Sequence, residues 1–191
     1  MCAGFMSKNS VRPERGSEMA GVINPPTSLK SKKVKKIAVA GVMGAMYYVL
    51  TTTLAGISFL FINIRVADML RGLIPFTGYA GALGIFFGHL IANMFSPLGF
   101  LDMIPVTVCL FTQFLIAYAS RFKKTLLVAG AFIVHWLALT ASVAYILSAF
   151  FKIPYFSIFS ILLPQIFVSD FVLPMFLFLA LKKIFRRWEL W

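Results

Sequence analysis

The stretch NIRVADMLRGLIPFTGYAGALGIFFGHLIANMF, residues 63–95, decides how many times this chain crosses a bilayer. Arg65, Asp68 and Arg71 stand within seven residues of one another, and no lysine, arginine or carboxylate follows them before Phe95. Such charge is expensive near a membrane, about 2.5–3.5 kcal/mol per residue at a helix centre on insertion scales. The stretch reads either as one long helix or as a short helix over about 65–77 followed by a second from Tyr79 to Phe95. Pro75 and Gly78 supply the residues that a turn between them needs.

The surrounding composition leaves no doubt about the class. The 191 residues are 60% hydrophobic with 21 Phe, and only 13% are charged. A soluble domain carries about 25% charge. Further apolar runs cover about 37–58, 101–120, 125–150 and 156–181, each near the ~20 residues that span a bilayer. The chain reads as an all-α, polytopic integral membrane protein.

Basic residues then choose between the two readings. Residues 1–36 hold eight Lys/Arg and two Glu, with Lys30, Lys32, Lys33, Lys35 and Lys36 directly before the first run. Later clusters are Arg121, Lys123, Lys124 and Lys182, Lys183, Arg186, Arg187. Basic residues at span ends favour the cytoplasmic side. One crossing within 64–95 would put the Arg121–Lys124 cluster outside; two crossings put every cluster inside. The expectation is a six-transmembrane-helix bundle over 37–187, with a short second helix and both termini cytoplasmic. Residues 188–191 form a C-terminal tail, and 1–36 read as a disordered basic cytoplasmic tail.

The net charge of +12 fits anionic membrane lipids better than nucleic acid, since it gathers at span ends and no nucleic-acid-binding motif accompanies it. Cys2 and Cys109 form no CxxC and suggest neither a disulfide framework nor a zinc site. No signal-peptide cleavage pattern follows the first run, so that run is expected to stay as an anchor. There is no Walker A motif, no GxSxG and no His–carboxylate cluster. The sequence calls for no enzyme activity and no cofactor, and an ATP-driven transporter of this kind would borrow its ATPase.

The topology gathers Asn63, Arg65, Asp68, Asn93, Asp102 and Tyr155 at the outer end, with Gln165 and Asp170 deeper in the last span. Arg65–Asp68 and Asp68–Arg71 are each three apart and share a helix face. They form either a self-neutralising ion-pair ladder or one wall of a ligand site. Asn93 and Asp102, an amide and a carboxylate, suit the edge of a planar heterocycle. His89 and His135 are expected in helix–helix hydrogen bonds. In the first span, Ala40/Gly44 and Gly41/Ala45 are small-xxx-small pairs that permit close helix contact, either within the bundle or with a second membrane subunit.

The segments INIRVADMLRGLIPF and GALGIFFGHLIANMFSPLGFLDM resemble the QueT family of queuosine-precursor transporters, substrate-binding S components of energy-coupling factor (ECF) transporters. The resemblance rests on Arg65-Val66, Asp68, Leu70, Pro75, Ala92-Asn93, Ser96-Pro97, Gly99 and Asp102, in order over about 40 residues. Asp68 stands where the family usually has Glu. Pro105 follows the motif's Asp, and Gln165 or Asp170 stands in for a Glu of the last helix. The resemblance implies uptake of a 7-deazaguanine base across a prokaryotic cell membrane. It implies substrate contacts from Asn93, Asp102, Arg65, Asp68, Gln165 and Asp170, with Asp68 or Asp170 pairing an aminomethyl cation. It also implies docking through Ala40, Gly41, Gly44 and Ala45 on a transmembrane coupling subunit served by two ATPases. The alternatives are an S component for another vitamin-like heterocycle and a ligand-free membrane scaffold.

Overall fold

The computed structural model describes residues 27–54, 65–95 and 99–187. Asn63, the Ser96–Pro97 turn and the two tails, apart from 27–36, lie outside them. Only helices occur among the described residues. They are α1 (Thr27–Thr53), a 3-10 helix (Val66–Leu73), α2 (Ile74–Asn93), a short 3-10 helix (Gly99–Asp102), α3 (Met103–Ser120), α4 (Thr125–Phe151) and α5 (Tyr155–Phe167). A π turn (Val168–Val172) then leads into α6 (Leu173–Arg187). Helices are what apolar runs must form in lipid, because each backbone N–H and C=O then finds its partner within the segment. Among the described residues, five stretches are long and apolar enough to cross a membrane: Ser31–Thr53, Val66–Asn93, Met103–Ser120, Thr125–Phe151 and Tyr155–Ile184.

The second of these stretches is not straight. Gly78 has φ +64° and ψ −147°, a backbone conformation open to glycine and costly for residues with a Cβ. Arg65 Nη1 donates to Asn93 Oδ1 at 3.3 Å. In one continuous helix those residues would stand about 42 Å apart at 1.5 Å per residue. The chain therefore doubles back at Gly78, and the 3-10 helix runs antiparallel to the rest of α2. The turn expected from Pro75 and Gly78 is present.

α1 lies along the returning half of α2 in parallel. A Cβ on Gly44 would come within 2.8 Å of the Gly84 carbonyl oxygen, and Cβ atoms on Gly84 and Gly88 would overlap the carbonyls of Ala40 and Gly44. Ala40 and Gly44 thus pack against α2 within the bundle. Gly41 has open space around it, and both Gly41 and Ala45 are exposed.

This arrangement brings the basic clusters to one end. The Arg121 guanidinium lies 5.0 Å from the ring centroid of Tyr79, next to the Gly78 turn. Lys182 Nζ donates to Thr125 Oγ1, and α1, parallel to the returning half of α2, places Lys32–Lys36 at that end as well. Tyr47, Ile74, Ile85, Ile116, Phe132 and Phe178 form the main apolar core. A second core of Cys109, Leu139, Ala144, Leu162 and Ile166 joins α3, α4 and α5.

The last span is interrupted at the π turn, where Leu173 N–H bonds to the Val168 carbonyl five residues back. Pro174 has no N–H for the Asp170 carbonyl, and a wider turn carries the hydrogen-bond ladder past it. Asp170 sits in that turn and points inward, fully shielded from solvent.

Candidate functional site

The charges of the opening stretch are divided by their local backbone. Arg65 precedes the 3-10 helix in extended conformation, φ −96° and ψ 105°, so it does not share the face of Asp68 and Arg71. With three residues per 3-10 turn, side chains at i and i+3 eclipse. Arg71 Nη2 accordingly meets Asp68 Oδ1 at 3.0 Å, with both side chains buried.

Arg71 is the hub of the interior. Its Nη1 also pairs with Asp170 Oδ1 on the π turn. Around this trio Tyr47 Oη also donates to Asp68 Oδ1 at 2.6 Å, and Ser169 Oγ donates to Asp170 Oδ2 at 3.1 Å. Cys109 Sγ lies 3.9 Å from Arg71 Nη2. One guanidinium is shared by two carboxylates, so the trio by itself carries an excess negative charge. Tyr47→Phe removes a hydrogen bond to a charged group and is expected to lower stability by about 1.5–3 kcal/mol. Thermal unfolding in detergent checks this; an unchanged midpoint would mean that solvent replaces the phenol.

His89 bridges the two arginines, with Nε2 2.7 Å from Arg65 Nη1 and Nδ1 3.4 Å from Arg71 Nη2. A neutral imidazole has one accepting nitrogen, and the shorter contact assigns that role to Nε2. Beyond His89, Asn93 accepts from Arg65 and donates through Nδ2 to the backbone carbonyl of Asp102 at 3.3 Å. That amide is engaged on both sides. Arg65, Asn93 and Asp102 form a polar group at the bundle end opposite the basic clusters.

Deeper along the axis lies His135, on α4. Thr112 Oγ1 is 2.6 Å from His135 Nδ1, and the Thr112 hydroxyl can donate to the Val108 or Cys109 carbonyl. In the tautomer in which its oxygen accepts from Nδ1–H, Nε2 is an acceptor; in the other, Nε2–H faces Asp170. That Nε2 lies 3.4 Å from Asp170 Oδ1 but makes no aligned hydrogen bond. Gln113, the next residue after Thr112, is fully buried. Neither its Oε1 nor its Nε2 has a hydrogen-bond partner among the described residues.

The residues singled out from the sequence thus fall into two groups. Arg65, Asn93 and Asp102 meet at the bundle end, the last through its backbone. Asp68 and Asp170 meet deeper through Arg71, which sequence reasoning had seen only as the third rung of a ladder. Gln165 is half-buried on α5. His135 makes an interhelical bond as expected, whereas His89 bonds Arg65, which lies just ahead of the 3-10 helix. Tyr47, Thr112 and Gln113 were missed. Gln113 carried a usable signal, since an amide in an apolar membrane span is a functional candidate by default.

A helical bundle with several membrane-length spans around a buried ionic interior defines a multi-pass membrane protein with a polar site between its helices. The family model described as QueT transporter matches residues 37–183, and the chain belongs to that family of membrane transporters. No curated protein and no solved structure matches the chain.

Proposed function

We propose that this chain is the substrate-binding S component of an ECF transporter and takes up a 7-deazaguanine precursor of queuosine. The bundle crosses the membrane six times, the folded-back stretch counting as two, with the basic end and both termini in the cytoplasm. The single observation that carries the reading, beside family membership, is the shielded Asp68–Arg71–Asp170 trio with its surplus carboxylate. It is reached from the outward end past Arg65, Asn93 and Asp102. A surplus negative charge between helices suits an aminomethyl cation; Gln165, half-buried on α5, is a further candidate contact.

The exposed pair Gly41 and Ala45 offers a flat strip of α1 for a transmembrane coupling subunit, which with its ATPases supplies the energy. The test is calorimetric binding to purified protein, comparing 7-aminomethyl-7-deazaguanine, 7-cyano-7-deazaguanine, riboflavin and thiamine. Binding confined to the deazaguanines is the expected result. Asn93→Ala, which frees Arg65 and the 99–102 turn, is expected to weaken that binding about tenfold; unchanged affinity would remove the outer group from the site. Binding of a vitamin instead would identify an S component of different specificity, and binding of nothing would favour a scaffold.

A further inference from the structure

The interior contains two primary amides in opposite conditions. Asn93 has both ends of its amide engaged, by Arg65 and by the Asp102 carbonyl. Gln113 has neither, although it is more deeply placed and fully shielded. A buried polar group without a partner is costly, and such groups are uncommon unless water, an ion or a ligand completes them. Gln113 stands one helical turn after Cys109, which touches Arg71, and directly after Thr112, which bonds His135. It therefore belongs to the same wall of α3 that meets the ionic trio.

His135 adds a second incomplete group. His135 Nε2 lies 3.4 Å from an Asp170 carboxylate oxygen with no aligned hydrogen bond, and in the tautomer that donates from Nδ1 to Thr112 it is an acceptor. Gln113 and His135 together present one donor nitrogen, one amide oxygen and one ring nitrogen acceptor. The complement of a donor and two acceptors is an edge with an acceptor and two donors. A ring carbonyl, the adjacent ring N–H and a neighbouring amino group make such an edge.

We propose that Gln113 and His135 read the 2-amino-4-oxo edge of the bound deazapurine (the edge numbered 2-amino-6-oxo in guanine). Gln113 Nε2 donates to the ring carbonyl, Gln113 Oε1 accepts from the ring N–H, and His135 Nε2 accepts from the amino group. This inference rests on the 7-deazaguanine reading and extends it: the heterocycle is recognised deep in the bundle rather than by Asn93 and Asp102. The Asp68 side of the trio is then left for a cationic substituent at the other end of the base.

Four ligands and two variants test the proposal. Wild-type protein is expected to bind 7-aminomethyl-7-deazaguanine, and guanine to compete for it. Hypoxanthine, which lacks the amino group, and 1-methylguanine, which lacks the ring N–H, should each compete at least tenfold less well. Gln113→Leu and Gln113→Met remove the unpartnered amide at similar volume. Both are expected to unfold, without ligand, at the wild-type temperature or higher, yet to bind the deazaguanine about 10- to 100-fold more weakly. They should also discriminate guanine from 1-methylguanine less than threefold. If wild type binds the deazaguanine and both variants bind it equally well, the edge assignment is overturned while the transport reading stands. The assignment is likewise overturned if both variants lose stability without ligand, since the amide is then a structural or water-held group. If wild type binds no deazaguanine, both readings fall.

Discussion

Arg71→Met is expected to cost about 3–5 kcal/mol, the largest loss of any single substitution in this chain. The side chain is fully buried and is the shared partner of Asp68 and Asp170. Its removal leaves two carboxylates inside the bundle, with Tyr47, Ser169 and His135 among their neighbours but no longer Arg71. Breaking a buried ion pair from one side is expensive because the remaining charge has lost its compensation, whereas replacing all members together is often neutral. The combined variant Arg71→Met, Asp68→Asn, Asp170→Asn keeps acceptors for Tyr47 and Ser169 but carries no charge. It is expected to regain at least half the loss while still failing to bind a cationic base. Chemical unfolding in detergent separates the two. If Arg71→Met alone unfolds at the wild-type midpoint, the trio is open to water and its charge is not held in the interior.

Gly84→Ala is expected to destabilise by about 1–3 kcal/mol, the range for overpacking a filled contact. The change would add helix propensity worth about 1 kcal/mol in an exposed helix, so a loss runs against the local preference. The cause is the backbone of α1: a Cβ at Gly84 overlaps the Ala40 carbonyl and Cα, and neither is a side chain that can rotate away. Gly41→Ala provides the control on the same helix. Nothing lies within contact of a Cβ there, and its stability should hold or rise slightly. Equal effects at the two positions would mean that α1 and α2 do not meet through Ala40 and Gly44.

Small-residue spacing on α1 was legible without coordinates, but the choice between its two faces was not. Residues 40, 41, 44 and 45 satisfy the same pattern twice, and only the partner helix distinguishes them. Gly84 and Gly88, four apart on α2, meet the 40/44 face and leave 41 and 45 outside. Similarly, a three-residue spacing put Arg65 and Asp68 on one face under the assumption of helix from residue 65. The chain is extended at Arg65, so that arginine reaches His89 and Asn93 across the hairpin instead.

Sequence by itself determined the membrane class, the bounds of the last three membrane-length stretches to within a few residues, and the break near Gly78. Those follow from hydropathy, from basic residues at span ends and from the φ that glycine alone adopts cheaply, all of which are local or additive. The first helix begins at Thr27, ten residues before the expected span and inside the expected disordered tail. Tertiary structure decided which polar groups share an interior. Tyr47, the Asp68–Arg71 pair, His135 and Asp170 come from separate segments, and Arg71 and Asp170 are 99 residues apart. Their meeting depends on the hairpin register and on the π turn that aims Asp170 inward. The same packing left Gln113 as the amide without a partner. A buried side chain's satisfaction is a property of its neighbours, and no reading of its own segment could have supplied it.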